Sequence, residues 1–174
     1  MDTPPAPPAR PSPMDDLPTA TALKLWVVLA RAVAAIGEVV KAQVEPHGLT
    51  PTEFAILEAL YHKGPLLLGE VQKKVLVSSG GITFLVDRLA TRGFVERRAC
   101  PSDRRARYAA LTKRGTRFMA DIFPAHAAVI RGAMGGLSRA EQRQATELLK
   151  ALGKEAGSRG SAAIGIATGV AREA

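Results

Sequence analysis

Arg97-Arg98-Ala99-Cys100-Pro101-Ser102-Asp103-Arg104-Arg105-Ala106-Arg107-Tyr108-Ala109-Ala110-Leu111-Thr112 reads as two short strands joined by a basic loop. Val95-Glu96-Arg97-Arg98 and Arg107–Leu111 are the strands, and Cys100 to Arg105 form the loop. The stretch follows a short helix, a turn and a second helix that Gly93 closes. A basic hairpin behind a helix-turn-helix predicts a winged helix that grips DNA. One helix serves the major groove, and the hairpin serves the backbone and minor groove. The expected fold is therefore mainly α with a small β-hairpin wing.

Charge follows the same geography. The chain carries 24 Lys and Arg against 16 Asp and Glu, a formal net charge of +8. Between Arg88 and Arg117 stand ten basic residues and only two acidic ones, Glu96 and Asp103, so the remainder is neutral. A charge kept for solubility has no reason to concentrate at a hairpin, whereas a polyanion footprint does.

The bulk composition excludes several classes. A chain of 174 residues with 47% hydrophobic content holds one core-forming domain with extensions. One cysteine rules out an intrachain disulfide framework and points to a reducing cytoplasm. His47, His62 and His126 lack metal-ligand spacing, so neither metal nor cofactor is expected. No apolar run is long enough to span a bilayer, and the N-terminus lacks the apolar stretch of a secretory signal. Nor is there a nucleophile–base pair or a phosphate loop: Ser78-Ser79-Gly80-Gly81 has no lysine to complete one. An enzyme is not expected.

Five segments are expected. Residues 1–18 hold seven of the 12 prolines and read as a disordered tail. Residues 19–46 hold a helix starting near Thr19 or Thr21 and ending at Val44. Leu23, Leu25, Trp26, Val27, Val28, Leu29, Val33, Ile36, Val39 and Val40 leave it apolar nearly all round. Such a helix must be buried on more than one side, which in a small protein implies a partner chain, most simply in a symmetric dimer. Residues 47–114 form the winged helix-turn-helix. Thr50-Pro51-Thr52-Glu53 starts its first helix with a capping box, and further helices span about Leu68–Lys74 and Ser79–Arg92. Residues 115–156 hold two more dimerisation helices. One runs from near Thr112 to Met134 and contains Pro124. The other opens at Ser138-Arg139-Ala140-Glu141 and ends near Gly153. Residues 157–174, rich in Gly, Ala and Ser, read as a flexible tail.

The Ser79–Arg92 helix is the candidate recognition helix. Ile82, Leu85, Val86 and Leu89 form its core stripe, and Thr83 and Arg88 fall off that stripe. Thr83 can touch a thymine methyl or a phosphate, and Arg88 a base edge or a phosphate. Ser79 either meets phosphate or caps the helix. In the loop, Arg104 and Arg105 can enter a narrow minor groove, while Asp103 pins a neighbouring arginine. Arg97 and Arg98 support this wing from the first strand.

Leu89-Ala90-Thr91-Arg92-Gly93-Phe94-Val95, Asp103-Arg104-Arg105 and Leu111-Thr112-Lys113-Arg114-Gly115 together resemble the MarR family of bacterial transcription regulators. The likeness covers roughly residues 20–155. Within the family, His47–Phe54 and Ala99–Arg105 most resemble the MhqR group, which represses genes of quinone and phenol detoxification. The resemblance implies a homodimer of winged helices on double-stranded DNA, with interlocked terminal helices. It places Ser79, Thr83 and Arg88 on the recognition helix and Arg105 at the wing tip.

It also implies release of DNA by a small aromatic effector in a crevice between dimer interface and reading head. Trp26, His47, Phe54, Tyr61 and His62 are the candidate lining, with plain core packing as the other role of Trp26 and Phe54. Two alternatives stand beside this. In one, Cys100, near Arg97, Arg98 and Arg104, acts as a redox sensor, although redox members of the family place the sensing cysteine near the N-terminus. In the other, the same fold is a protein-interaction module.

Overall fold

The structure is a computed structural model. It describes residues 17–75, 79–99 and 107–170, with side chains described for residues 17–75, 81–99 and 107–159. The chain divides into two compact units, Met1–Ile130 and Arg131–Ala174.

The first unit starts with α1 (Leu17–Val44) and a 3-10 turn (Glu45–His47). It continues with α2 (Pro51–Lys63), β1 (Leu66–Leu67), α3 (Leu68–Val75) and α4 (Ser79–Thr91). Then come β2 (Val95–Ala99), β3 (Arg107–Leu111) and most of α5 (Lys113–Ala133). Helix α1 starts slightly earlier than Thr19. Pro18 is tolerated there because the first turn of a helix has no use for its missing N–H. Leu17 and Pro18 therefore belong to the helix rather than to the proline-rich tail.

Helix α2 begins as its sequence requires. Glu53 N–H donates to Thr50 Oγ1 at 3.2 Å, and Thr50 N–H donates back to Glu53 Oε2 at 2.9 Å, with Pro51 in the first turn. Val44, Leu49, Phe54, Ile56, Leu57, Leu60, Val71, Ile82, Val86, Leu89, Phe94, Val95, Ala109, Met119 and Ile122 make one core, joining α2, α3, α4 and α5 to the sheet. Burial of each large apolar side chain stabilises the fold by about 1.5–3 kcal/mol.

The hairpin is the larger part of a three-stranded antiparallel sheet of order β1-β3-β2. Strand β1 was not legible as a strand, because two leucines carry no alternation. It forms by pairing Leu66 with Ala109 and Leu67 with Tyr108. On the other side Val95 faces Leu111 and Ala99 faces Arg107.

Two sequence motifs meet where the sheet joins the helices. Gly93, at φ 74°, ends α4: its N–H donates to Ala90 O at 2.8 Å, and Phe94 N–H donates to Leu89 O at 3.0 Å. Thr112 Oγ1 donates to Gly93 O at 2.7 Å and accepts from Gly115 N–H at 3.0 Å, so one hydroxyl both caps α5 and ties it to that turn. A Cβ on Gly115 would stand 2.0 Å from Phe94 O, which is why a glycine stands in the first turn of this helix. The Arg92-Gly93-Phe94 and Leu111-Thr112-Lys113-Arg114-Gly115 stretches are thus the two halves of a structural lock.

The second unit holds the end of α5 and α6 (Arg139–Val170). Ser138 and Glu141 form the expected capping box: Ser138 N–H donates to Glu141 Oε2 at 2.8 Å and Glu141 N–H to Ser138 Oγ at 3.4 Å. Helix α6 continues well past the expected end at Gly153. Among the described glycines only Gly48, Gly64 and Gly93 have positive φ, so Gly153 makes no left-handed cap. The Arg159–Glu155 pair, at 2.8 Å, spans the next turn. The stretch from Gly157, expected as a flexible tail, is helical to Val170.

Candidate nucleic-acid interface

Helices α3 and α4 form the helix-turn-helix, and β2 and β3 border it. Ile82, Val86 and Leu89 are buried on α4, while Thr83, Phe84, Asp87, Arg88 and Thr91 are exposed. The apolar stripe therefore faces inward as its spacing requires, and Thr83 and Arg88 lie off it. Ser79 opens the helix, and its side chain lies outside the described residues.

Arg88 is exposed but tethered. Its Nε lies 3.1 Å from Oε1 of Glu53, and Glu53 has 0% exposure. The contact is an ion pair without hydrogen-bond alignment: among the described residues Oε1 accepts no hydrogen bond. A buried carboxylate needs a compensating charge, and Arg88 supplies it. The arginine expected to reach DNA thus also holds α4 against the start of α2.

Arg97 fastens β2 to α4. Its Nη2 lies 2.7 Å from Asp87 Oδ1 and donates to Thr83 O at 3.4 Å. Arg98 donates through Nε and Nη2 to Glu96 Oε1, at 2.8 and 2.6 Å, along the same strand. The pattern Val-Glu-Arg-Arg thus sends one arginine to the helix and one to its own strand neighbour. Cys100, Asp103, Arg104 and Arg105 lie outside the described residues.

Of the five candidate effector residues, Phe54, Tyr61 and His62 share one aromatic cluster through Phe123 and His126, whose rings lie 6.2 Å apart, while His47 and Trp26 lie apart from it. Phe54 is a core residue, its ring 4.4 Å from that of His126. Tyr61 and His62 join Phe123 in a ring cluster, with His62 4.7 Å and Tyr61 5.9 Å from it. His47 packs edge-on to Phe118 at 5.9 Å. It borders an open hollow of about 760 Å³ with Arg92, Phe94, Arg114, Arg117 and Asp121. There Arg92 and Arg114 stack on Phe94 at 5.0 and 5.1 Å, and Arg92 donates to the carbonyls of Gly48 and His47. Trp26 is 65% exposed on α1.

Three residues on or against α4 escaped sequence reasoning. Glu53 reads as a cap, and only packing reveals its second partner. Asp87 meets Arg97 across two elements, which no local pattern signals. Phe84 could have been found, because it falls off the Ile82–Leu89 stripe. Among the described residues no group of His, Cys, Asp and Glu could hold a metal ion, and no helix is long and apolar enough to cross a membrane.

A helix-turn-helix bordered by an arginine-bearing antiparallel wing defines a winged-helix DNA-binding protein. The MarR family model matches residues 49–106. The HTH-type transcriptional regulator MhqR of Bacillus subtilis (strain 168) is 44% identical over 138 residues, covering 79% of this chain and 95% of that protein. The uncharacterized HTH-type transcriptional regulator YkoM of the same organism is 41% identical, covering 76% and 86%. Among solved structures, the MarR family regulator AbsC from Streptomyces coelicolor has a TM-score of 0.73 at 21% identity, covering 79% of this chain and 95% of that one. Sco3205 from Streptomyces coelicolor, solved in complex with DNA, has a TM-score of 0.72 at 23% identity, covering 78% and 88%. The chain belongs to the MarR family of DNA-binding transcriptional regulators.

Proposed function

We propose that the protein is a dimeric repressor that binds a pseudo-palindromic operator and leaves it when a small phenolic or quinone-like effector binds. The observation that carries this reading is the bare apolar surface of α1. Leu25, Trp26, Val28 and Val33 are 55, 65, 57 and 62% exposed. An apolar strip of that kind calls for a protein surface to cover it. A second copy covers it with a two-fold axis, which repeats the recognition helix and so requires an inverted repeat in the DNA. Helix α6, taken by itself, also exposes Leu148, Leu149 and Leu152.

In this reading Ser79 and Thr83 face the major groove from α4. Arg88 adds a charge while bound to Glu53. Arg104 and Arg105 enter the minor groove, with Asp103 orienting one of them, and Arg97 and Arg98 keep the wing in register. The effector class rests on the resemblance of His47–Phe54 and Ala99–Arg105 to the MhqR group, and the 44% identity to MhqR supports it. Trp26, His47, Phe54, Tyr61 and His62 remain the candidate contacts. A DNA partner implies a cytoplasmic site of action.

The test is selection from a random duplex library at about 0.15 M salt, near physiological strength. An inverted repeat with half-sites about one helical turn apart is expected, with binding that falls steeply as salt rises. Titration of the selected duplex with phenols and quinones then reads the effector. Arg105→Ala should weaken binding by about 1–3 kcal/mol, and Cys100→Ser should leave both binding and release intact. Recovery of unrelated fragments defeats the operator reading, and loss of release in Cys100→Ser defeats the effector reading in favour of a redox switch.

A further inference from the structure

We infer that Phe84 reads thymine, its ring meeting a thymine C5-methyl group in the major groove. This rests on the DNA-binding reading and adds a base preference to it. Phe84 lies in the second turn of α4 and is 64% exposed. Ile82, Val86 and Leu89 make the buried side of that helix. Steps of about 100° per residue put Phe84 on the opposite side, together with Asp87 and Thr91. The ring's exposure is therefore not a by-product of core packing. A phenyl group left in water on a polar face gains by being covered.

The charged residues around it are engaged within the chain. Asp87, one turn further on, pairs with Arg97 at 2.7 Å. Arg88, also one turn on, has its Nε 3.1 Å from Glu53 Oε1. The N-terminal half of a docked recognition helix approaches the base edges. In that half, Phe84 and the exposed Thr83 are what α4 presents outward among residues with described side chains. A phenyl ring offers no hydrogen bond to a base. The apolar group on the major-groove edges is the thymine methyl, which also suits the methyl of Thr83. Arginines of the bordering strand, with Arg97 Nη2 3.4 Å from Thr83 O, make the surroundings suited to a polyanion rather than to an apolar protein surface.

Replacing thymine by deoxyuridine removes only the methyl group and so isolates this contact. The experiment takes the duplex selected by the full-length protein and substitutes each thymine singly. Wild type, Phe84→Ala and Phe84→Leu are then titrated. At the contacted thymine the wild type should lose about fourfold in affinity, the worth of one buried methyl group. Phe84→Ala should bind thymine and deoxyuridine alike, and Phe84→Leu should keep part of the preference. Indifference of the wild type at every thymine overturns the inference, as does an undiminished penalty in Phe84→Ala, which would assign the methyl to Thr83. A change of subunit number in Phe84→Ala with the penalty unchanged assigns the ring to a protein contact and overturns it too. In each of those cases DNA binding stands. If the wild type selects no sequence, the DNA reading falls and this inference with it.

Discussion

Arg88 Nε lies 3.1 Å from Oε1 of Glu53, a carboxylate with 0% exposure at the start of α2. The same carboxylate accepts from Thr50 through its other oxygen. One side chain therefore closes the N-terminus of α2 and anchors the outward side of α4. A regulator that must present α4 at a fixed angle gains a hard stop from this arrangement.

Glu53→Ala should lower stability by roughly 2–3 kcal/mol, since it removes a cap and one member of a partly buried pair. Arg88→Ala should also destabilise, because it leaves the buried carboxylate without its charge partner. Chemical denaturation of both variants and of the double variant gives the coupling. A coupling below about 0.5 kcal/mol would mean that the two act independently.

Arg97→Ala should weaken DNA binding more than it lowers stability. The Arg97–Asp87 contact, at 2.7 Å, is partly exposed and contributes no more than about 1 kcal/mol to folding. It nonetheless sets β2 against α4, so its loss should disturb wing and recognition helix together. Asp87→Ala should show the same affinity loss, and the double variant no more than either single one. Additive losses in a filter-binding cycle would separate the two roles.

Gly115→Ala should be among the most damaging single-methyl changes in the chain, at roughly 3 kcal/mol. The added Cβ would stand 2.0 Å from a backbone oxygen, Phe94 O, which cannot swing aside as a side chain does. Gly132→Ala is the control, since nothing lies within 4 Å of its Cβ position. Equal thermal midpoints for the two variants would contradict the lock between Phe94 and α5.

His126 links stability to pH. Burial holds its pKa below the usual 6.5, against an opposing pull from Glu58. The ring lies against Phe54, and its Nδ1 is 3.0 Å from Gln43 Oε1. A folded-state pKa below the unfolded one means that the unfolded chain binds the proton more readily. The resulting stability is complete above the unfolded value of 6.5 and is lost as pH falls through the folded value. Urea midpoints between about pH 7.5 and 5.5 should fall for the wild type more than for His126→Gln. Parallel profiles would show that this imidazole is not the linked group.

Much of the fold is written in local pattern. The spacing of Ile82, Val86 and Leu89 marks a helix face, Thr50 with Glu53 and Ser138 with Glu141 mark helix starts, and Gly93 marks a helix end. Each is a relation between residues one or two turns apart, which backbone geometry alone enforces. The concentration of arginines around the hairpin is likewise a property of composition along the chain, and it points to a polyanion before any fold is known. What lay beyond such reading were the contacts between distant segments: the burial of Glu53 beneath Arg88, the Arg97–Asp87 tie, the pairing of Leu66 and Leu67 with β3, and the joining of Phe54 and Tyr61 through His126 and Phe123 while His47 and Trp26 lie elsewhere. These depend on how whole helices and strands pack around the shared core. Charge and polarity identify the residues able to pair, but only packing decides which of them meet.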